Sequence, residues 1–186
     1  HAERVIIYGL DIKNQQLYSL MRSDPIPGEI RIPRTFSSVA GFCALSKQPV
    51  NVRNVYDADE LKKINSKLKF DPALDDGFGG KTKEIYALPI RYDRFLLGVF
   101  EVANKTQGSG FNSDDQTGIT EISRLLGVAL YNYSQASKQN QSGKYSYLIN
   151  NGTISPEKLE EASEQARDSM KDLAVVLIEE FEIPKE

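Results

Sequence analysis

The chain is poor in the residues that most often carry metal, redox and disulfide chemistry. Its 186 residues include one cysteine, Cys43, one histidine, His1, and no tryptophan. A single cysteine excludes an internal disulfide and a zinc site built from several cysteines. Cys43 also has no internal histidine near it in sequence to act as a base, so we expect a buried structural thiol rather than a nucleophile. We predict that the protein holds no metal and no cofactor.

Long hydrophobic runs and a surplus of charge of one sign are missing as well. The longest apolar stretches, such as 95–100 and 174–178, are far shorter than the roughly 20 residues of a membrane-spanning helix. The 23 basic and 26 acidic residues give a formal net charge of -3, and no basic cluster rises above that background. These features speak against nucleic-acid partners and direct membrane insertion. With no signal-peptide pattern at its start, the chain is predicted to be cytoplasmic.

What the sequence does contain is a set of β-favouring segments separated by polar turns. Segments 5–8 and 16–21 flank a polar connection, and segments 85–91 and 95–103 flank a tight one. Such pairs predict antiparallel hairpins, and the second pair is the stronger because branched and aromatic residues fill it. A further strand edge is expected at 49–52.

Helical spacing of apolar residues accounts for most of the remainder. Short helices are predicted after Ser38 and after Asp57, and a long amphipathic helix from Ser113 to about Ser137. Residues 138–143 have the composition of a linker, and 144–186 carry a separate helical pattern. We therefore predict an α+β fold with a central antiparallel sheet flanked by helices in 1–137, a linker at 138–143, and a small all-helical part in 144–186.

The first part resembles a known family of sensory modules, the GAF domain. The resemblance covers about residues 3–137 and lies in the stretches Ile30-Arg-Ile-Pro33, Val39-Ala-Gly-Phe42, Gln48-Pro-Val-Asn-Val52, Tyr86-Ala-Leu-Pro-Ile90 and Leu97-Gly-Val-Phe-Glu-Val-Ala-Asn-Lys105. It implies a central antiparallel sheet with a small-molecule pocket on one face.

A short motif of the same family occurs near the end of the predicted sheet. Many members that bind cyclic nucleotides carry an Asn-Lys pair, a Phe and an Asp-Glu pair. Here Asn104, Lys105, Phe111 and Asp115 match, while Gln116 replaces the Glu. We expect Lys105 and Asp115 to form an ion pair across the loop, with Phe111 packed beneath it, so the motif is predicted to be structural.

A pocket of this kind would be built from the second hairpin, the helix after Asp57 and the glycine-rich loop over 71–83. It predicts a binding site for a small molecule such as a cyclic nucleotide or a metabolite. An alternative is that the apolar candidates simply fill the core, which is the usual fate of such residues. The candidates are the apolar and aromatic wall residues Tyr56, Phe70, Phe78, Tyr86, Leu88 and Phe100, with the polar residues Arg53, Asn54 and Thr82.

Motifs that would indicate catalysis fail on spacing. The tripeptide Gly80-Lys-Thr82 invites comparison with a phosphate-binding loop, yet Asp75 stands where such a loop needs its first glycine. A strand pattern, rather than a helix, follows it. Asp71, Asp75 and Asp76 lack the alternating ligand spacing of a calcium loop. No nucleophile with a base can be assembled, so we predict no enzymatic activity in this chain.

The C-terminal part resembles the N-terminal helical domain of type II secretion and type IV pilus-assembly ATPases. The resemblance lies in segments 147–152, 154–156, 159–165 and 173–182. Some relatives of that domain bind cyclic di-GMP through an Arg-Leu-Gly entry to each half. This chain has Lys144-Tyr-Ser146 and Lys171-Asp-Leu173 there, which speaks against dinucleotide binding.

Together these patterns favour a non-catalytic sensory or regulatory module of a larger secretion or pilus-assembly ATPase. We expect a homodimer that meets the secretion or pilus machinery through the rest of the larger protein. The alternative is a structural dimerisation or docking module that binds no small ligand.

Overall fold

The structure, a computed structural model, describes residues 2–23, 28–75, 80–169, 172–181 and 183, without the side chains of 136–144 and 167–169. It divides into two compact units, His1–Tyr131 and Asn132–Glu186. The strands are β1 (Ala2–Asp11), β2 (Gln16–Arg22), β3 (Arg31–Pro33), β4 (Val50–Val52), β5 (Ile85–Tyr92) and β6 (Phe95–Lys105). The helices are α1 (Val39–Ser46), α2 (Ala58–Ile64), α3 (Ser113–Lys144), α4 (Ser146–Asn150), α5 (Pro156–Ser169) and α6 (Leu173–Glu179).

The six strands form one sheet in the order β3-β2-β1-β6-β5-β4, and every neighbouring pair is antiparallel. Both predicted hairpins are confirmed, as β1–β2 and β5–β6. Strands β1 and β6 pair in the middle of the sheet, with Tyr8 opposite Val99. The predicted α+β architecture, a central antiparallel sheet flanked by helices, is therefore the observed one.

The two faces of the sheet bury different residues because side chains alternate along a strand. On one face Ile6, Tyr8 and Val99 share a core with residues of α1 and Leu61 of α2. On the other face a second core packs partly buried apolar residues of α3 against Ile7, Tyr86, Leu88, Ile90, Phe100, Val102 and Phe111. The helices flanking the sheet thus serve two separate cores.

Helix α3 is longer than the sequence predicts. It runs without interruption to Lys144, so residues 138–143, which are predicted to be a linker between the two parts, are helical. The prediction of an end near Ser137 was wrong because Gln, Asn and Ser are tolerated in a helix that has already been nucleated and packed along its first turns. The predicted domain limits remain predictions.

The second unit has a core of its own. Helices α4, α5 and α6 bury Leu148, Leu159, Val176 and Leu177, among others. The turn between α4 and α5 passes through Gly152, whose φ of +77° is a left-handed conformation that favours glycine. The helical pattern predicted for this part is therefore observed. Among the described residues, no helix combines the length and hydropathy needed to cross a bilayer.

Candidate functional site

The candidate site is centred on Tyr56, which follows β4 and precedes α2. Its hydroxyl donates a 2.5 Å hydrogen bond to Oδ2 of Asp75, and this bond raises the pKa of the Tyr56 phenol to about 12. The edge of its ring meets Phe70, with ring centroids 5.5 Å apart. Nζ of Lys81 lies 4.9 Å from the centre of the Tyr56 ring. Asp75, Phe70 and Lys81 therefore hold this one side chain.

Tyr56 borders two hollows. The first, which we call the apolar hollow, has a volume of about 330 Å³. Its walls come from α2 and the segments on either side of that helix, and Lys62, Ser66 and Lys69 also line it. The apolar wall residues are Val55, Ala58, Leu61, Leu68 and Phe70.

The second hollow, which we call the polar hollow, has a volume of about 390 Å³. Asn54 and the segment 81–83 line it, together with Tyr56. Thr82 is fully buried, and its backbone N–H donates to Oδ1 of Asp75 at 3.1 Å. Asp75 therefore ties the Tyr56 hydroxyl to the segment that forms the wall of the polar hollow.

Asn104 holds the same segment from the other side. Its φ of +55° turns the chain at the end of β6, and its Oδ1 accepts the backbone N–H of Lys83 at 2.8 Å. Its Nδ2 donates to the carbonyl of Lys81 at 3.0 Å. The amide of Asn104 thus pairs with segment 81–83 as a neighbouring strand would, which fixes the wall of the polar hollow.

The predicted pairing of Lys105 with Asp115 is confirmed. Nζ of Lys105 forms an ion pair with Oδ2 of Asp115, which holds the pKa of that carboxyl below its usual range, helped by the backbone N–H of Asn112. Phe111 lies in the core below and contacts the Tyr86 ring, with centroids 6.1 Å apart. The motif therefore links β6 to the start of α3.

Sequence reasoning missed Glu84, which completes this arrangement. The side chain is almost fully buried, and Oε1 accepts the backbone N–H of Lys105 at 2.7 Å. Oε2 accepts the backbone N–H of Gly110 at 2.6 Å. A lone acidic residue before a strand carries no sequence signal for this role, because both partners lie more than 20 residues further along the chain.

Two buried charged side chains, Arg4 and Glu101, lie behind Thr82 of the polar hollow. Nη2 of Arg4 donates to Oγ1 of Thr82 at 2.8 Å and lies 4.0 Å from Oε1 of Glu101. That Oε1 has no hydrogen-bond partner among the described residues. Burial raises the pKa of the Glu101 carboxyl to about 7, against the opposing effect of Arg4. Sequence reasoning did not single out either charge, since both lie within apolar strands.

The structure brings together only some of the predicted site residues. Tyr56, Phe70, Asn54 and Thr82 line the hollows. Arg53 does not: its backbone N–H donates to Oε1 of Glu60 at 2.8 Å, and its side chain passes Gly110. Phe78 lies outside the described residues.

Three predicted wall residues lie on the wrong face of the sheet. Tyr86, Leu88 and Phe100 are buried in the core shared with α3, whereas Phe70 packs on the core of the other face. Strand alternation explains the error, since a shift of one residue moves a side chain to the opposite face. Their expected place in the wall is therefore corrected: these residues fill the core.

Two positions that the sequence analysis tested for chemistry, Cys43 and the tripeptide Gly80-Lys-Thr82, lack the geometry for it. Cys43 is buried in α1, and burial raises the pKa of its thiol, so the reactive thiolate is disfavoured. The tripeptide Gly80-Lys-Thr82 leads into β5, so it lacks the helix start that a phosphate-binding loop requires. Neither position has the geometry of a catalytic site.

Comparison with known proteins identifies the family to which the chain is similar. A sequence model of the GAF domain matches residues 1–130. A probable 3',5'-cyclic phosphodiesterase of Caenorhabditis elegans is 25% identical over 153 residues, which are 76% of this chain and 20% of that protein. The chain thus spans about a fifth of this relative's length.

Two solved structures are similar in fold. The GAF domain of an Acinetobacter phosphoenolpyruvate-protein phosphotransferase is 18% identical, with a TM-score of 0.56 over 74% of this chain and 75% of that one. The free methionine-R-sulfoxide reductase of Neisseria meningitidis is 18% identical, with a TM-score of 0.54 over 73% of this chain and 71% of that one. At these identities the similarity concerns the fold alone.

Proposed function

The chain belongs to the GAF domain family, and on this basis we propose that it is a non-catalytic sensor that binds a small molecule at the two hollows around Tyr56. The observation that supports this proposal is the pair of hollows itself, next to a side chain held by Asp75, Phe70 and Lys81. Volumes of about 330 and 390 Å³ are in the range of small-molecule sites. The phosphodiesterase relative makes cyclic nucleotides one candidate ligand class, and metabolites are another.

Transmission of the signal is proposed to run through α3. The Ser123 hydroxyl donates to the carbonyl of Pro89 at 3.3 Å, and the Tyr131 ring stacks on that of Tyr92 at 3.8 Å between centroids. These contacts join β5 to the helix. A ligand acts through them only if it favours one of two arrangements of sheet and helix.

Thermal-shift and calorimetric titration of the 186-residue chain with cyclic GMP, cyclic AMP and a metabolite panel test this proposal. We expect at least one compound to bind, and Tyr56→Ala to abolish its binding while Tyr133→Ala, at a tyrosine outside both hollows, leaves it unchanged. Absence of heat and thermal shift across the panel would refute sensing at this site.

A second candidate, a dimerisation module, is favoured by the outer face of α3. Ile122, Leu125 and Val128 are 48%, 58% and 40% exposed there, an apolar stripe suited to a second copy of the chain. We expect Leu125→Glu to shift the sedimentation coefficient to that of a monomer. Leu20→Glu, at an exposed leucine of β2, is the control and should leave the association intact.

We further propose a cytoplasmic location and a place in a larger secretion or pilus-assembly ATPase. The support is the sequence pattern of the second unit, in which Ser155 and Pro156 start α5 after the turn at Gly152. In the longer protein, a ligand of the first unit is expected to change the ATPase rate. An unchanged rate at saturating ligand would contradict this regulatory role.

A further inference from the structure

The charged side chains that line the two hollows are all lysines. Among the residues that the structure describes there, four lysines and no carboxylate line the hollows. Lys62 also lies 3.9 Å from Asp59, outside the site, which leaves Lys69, Lys81 and Lys83 as the main positive charges. A site with this lining attracts an anion.

The Asp75 carboxylate, which lies next to Tyr56, is engaged with the protein through both oxygens. Its Oδ2 accepts from the Tyr56 hydroxyl and its Oδ1 accepts from the backbone N–H of Thr82. Both oxygens are therefore engaged with the protein. The Asp75 side chain supports the site, and the exposed side chains of Lys81 and Lys83 supply positive charge for a bound anion.

The walls of the apolar hollow restrict the rest of the ligand. Val55, Ala58, Leu61, Leu68 and Phe70 offer no side-chain hydrogen-bond donor or acceptor. A nucleobase there would find side-chain partners at Tyr56, Lys62, Ser66 and Lys69, whereas each ring nitrogen or amino group buried against the five apolar residues would cost about 1–3 kcal/mol. An alkyl or phenyl group meets no such penalty and gains about 25 cal/mol for each Å² of apolar surface buried.

We propose that the site takes an amphipathic anion, an acyl or aryl carboxylate, with its apolar body in the apolar hollow and its carboxylate at Lys81 and Lys83. Tyr56 lines both hollows, so a ligand of this shape contacts its ring along the way. This inference rests on the proposed sensing function and narrows its ligand class. Such a site disfavours a bare anion, because the apolar walls then stay exposed to water. It also disfavours a neutral amphiphile, because the lysines then gain no negatively charged partner.

Calorimetric titration of the 186-residue chain at low salt with octanoate, octanamide, acetate and cyclic GMP tests the ligand class. We expect octanoate to bind at least about tenfold more tightly than octanamide, because only octanoate makes a charge-assisted contact with the lysines. We expect the same difference from acetate, because acetate has no apolar body. Octanoate binding no tighter than octanamide or acetate would overturn the proposal.

Two variants test the placement of each end. The double variant Lys81→Met and Lys83→Met should weaken octanoate about tenfold and leave octanamide unchanged, whereas Lys13→Met with Lys158→Met removes equal charge elsewhere without effect. Ala58→Phe should fill the apolar hollow and abolish octanoate binding, whereas Lys63→Phe on the exposed side of the same helix should not. Thermal unfolding confirms that each variant is folded. Octanoate affinity that these site variants leave unchanged would refute the assignment.

The outcomes separate this inference from the proposed function. If cyclic GMP binds in a Tyr56-dependent way and octanoate does not, the carboxylate class is wrong and sensing stands. If neither these probes nor the wider panel binds, both fail.

Discussion

Among single residues, Glu84 shows how one buried acid can connect three segments. One of its oxygens accepts the backbone N–H of Lys105 and the other accepts the backbone N–H of Gly110. Both bonds therefore need a side chain with two acceptor oxygens. Glu84→Gln places an amide NH₂ against one of these N–H groups. We expect the free energy of unfolding in urea to fall by about 2 kcal/mol, the usual loss when a buried hydrogen bond to a charged group is broken.

The matched control for Glu84 is Glu121→Gln. Glu121 pairs with Arg124 on the surface of α3, where both side chains are more than half exposed. Such pairs contribute little, so the control should change stability by less than about 1 kcal/mol. Equal effects of the two substitutions would contradict the structural role of Glu84.

Glu101 makes stability depend on pH. Its carboxyl titrates at about 7 in the folded protein, against an ordinary value of 4.5 when exposed. The folded state therefore holds the proton more tightly, so the free energy of unfolding falls as pH rises from about 4.5 to about 7. Glu101→Gln removes this titration. The free energy of unfolding of the variant, relative to that of the parent protein, should therefore rise by about 2 kcal/mol between pH 5 and pH 8.

Urea unfolding of the parent and of Glu101→Gln at both pH values measures this difference. Arg4 on β1 is the charge that faces the carboxyl, and the Cys43 thiol on α1 is the titratable group whose pKa the Glu101 charge helps to raise. Parallel pH profiles of the two proteins would contradict the elevated pKa of Glu101.

At the level of elements, the close packing of α3 against the sheet depends on one glycine. A Cβ built at Gly127 would lie 2.0 Å from the carbonyl oxygen of Arg91 on β5. Gly127→Ala must therefore push the helix away from the strand. We expect a loss of about 2 kcal/mol in the free energy of unfolding, as for overpacking of a core.

Gly118, on the same helix, provides the control. A Cβ at Gly118 would meet nothing within 4 Å. Gly118→Ala should raise the free energy of unfolding by about 0.5–1 kcal/mol, since alanine is the better helix former. The two substitutions are chemically identical, so opposite signs would isolate the contact with Arg91, and equal signs would rule it out.

At the level of the whole molecule, the two units have cores with no buried residue in common. Leu17 is fully buried in the first unit and Leu177 almost fully in the second. Leucine-to-alanine changes at such sites cost about 2–5 kcal/mol. In differential scanning calorimetry we expect Leu177→Ala to lower the transition of the second unit, and Leu17→Ala that of the first. A single transition lowered equally by both would show one cooperative unit.

Much of the fold was predictable because its signals are local. Runs of β-favouring residues on either side of polar turns predicted both hairpins, and helical spacing predicted α1, α2 and the start of α3. The pairing of Lys105 with Asp115 also followed, since the two residues are only ten positions apart and both lie at element ends. The end of α3 was missed because its last turns have the composition of a loop.

The candidate site was only half predictable. Tyr56, Phe70, Asn54 and Thr82, which line the hollows, were predicted as wall residues from their places beside α2 and in the glycine-rich loop. The lysines of the hollows were not singled out, since exposed lysines are common and carry no pattern. Glu84, Arg4 and Glu101 were missed because their partners come from distant parts of the chain.

Residue order alone is enough to say that this chain combines antiparallel hairpins with helices and that it resembles the GAF family. The sequence alone does not determine which face of the sheet lies beside Tyr56. Alternation places Tyr86 and Leu88 on a common face, but only the packing of α1 on one side and α3 on the other decides which face that is. The reason is physical: a strand is symmetric between its faces until long-range contacts distinguish them.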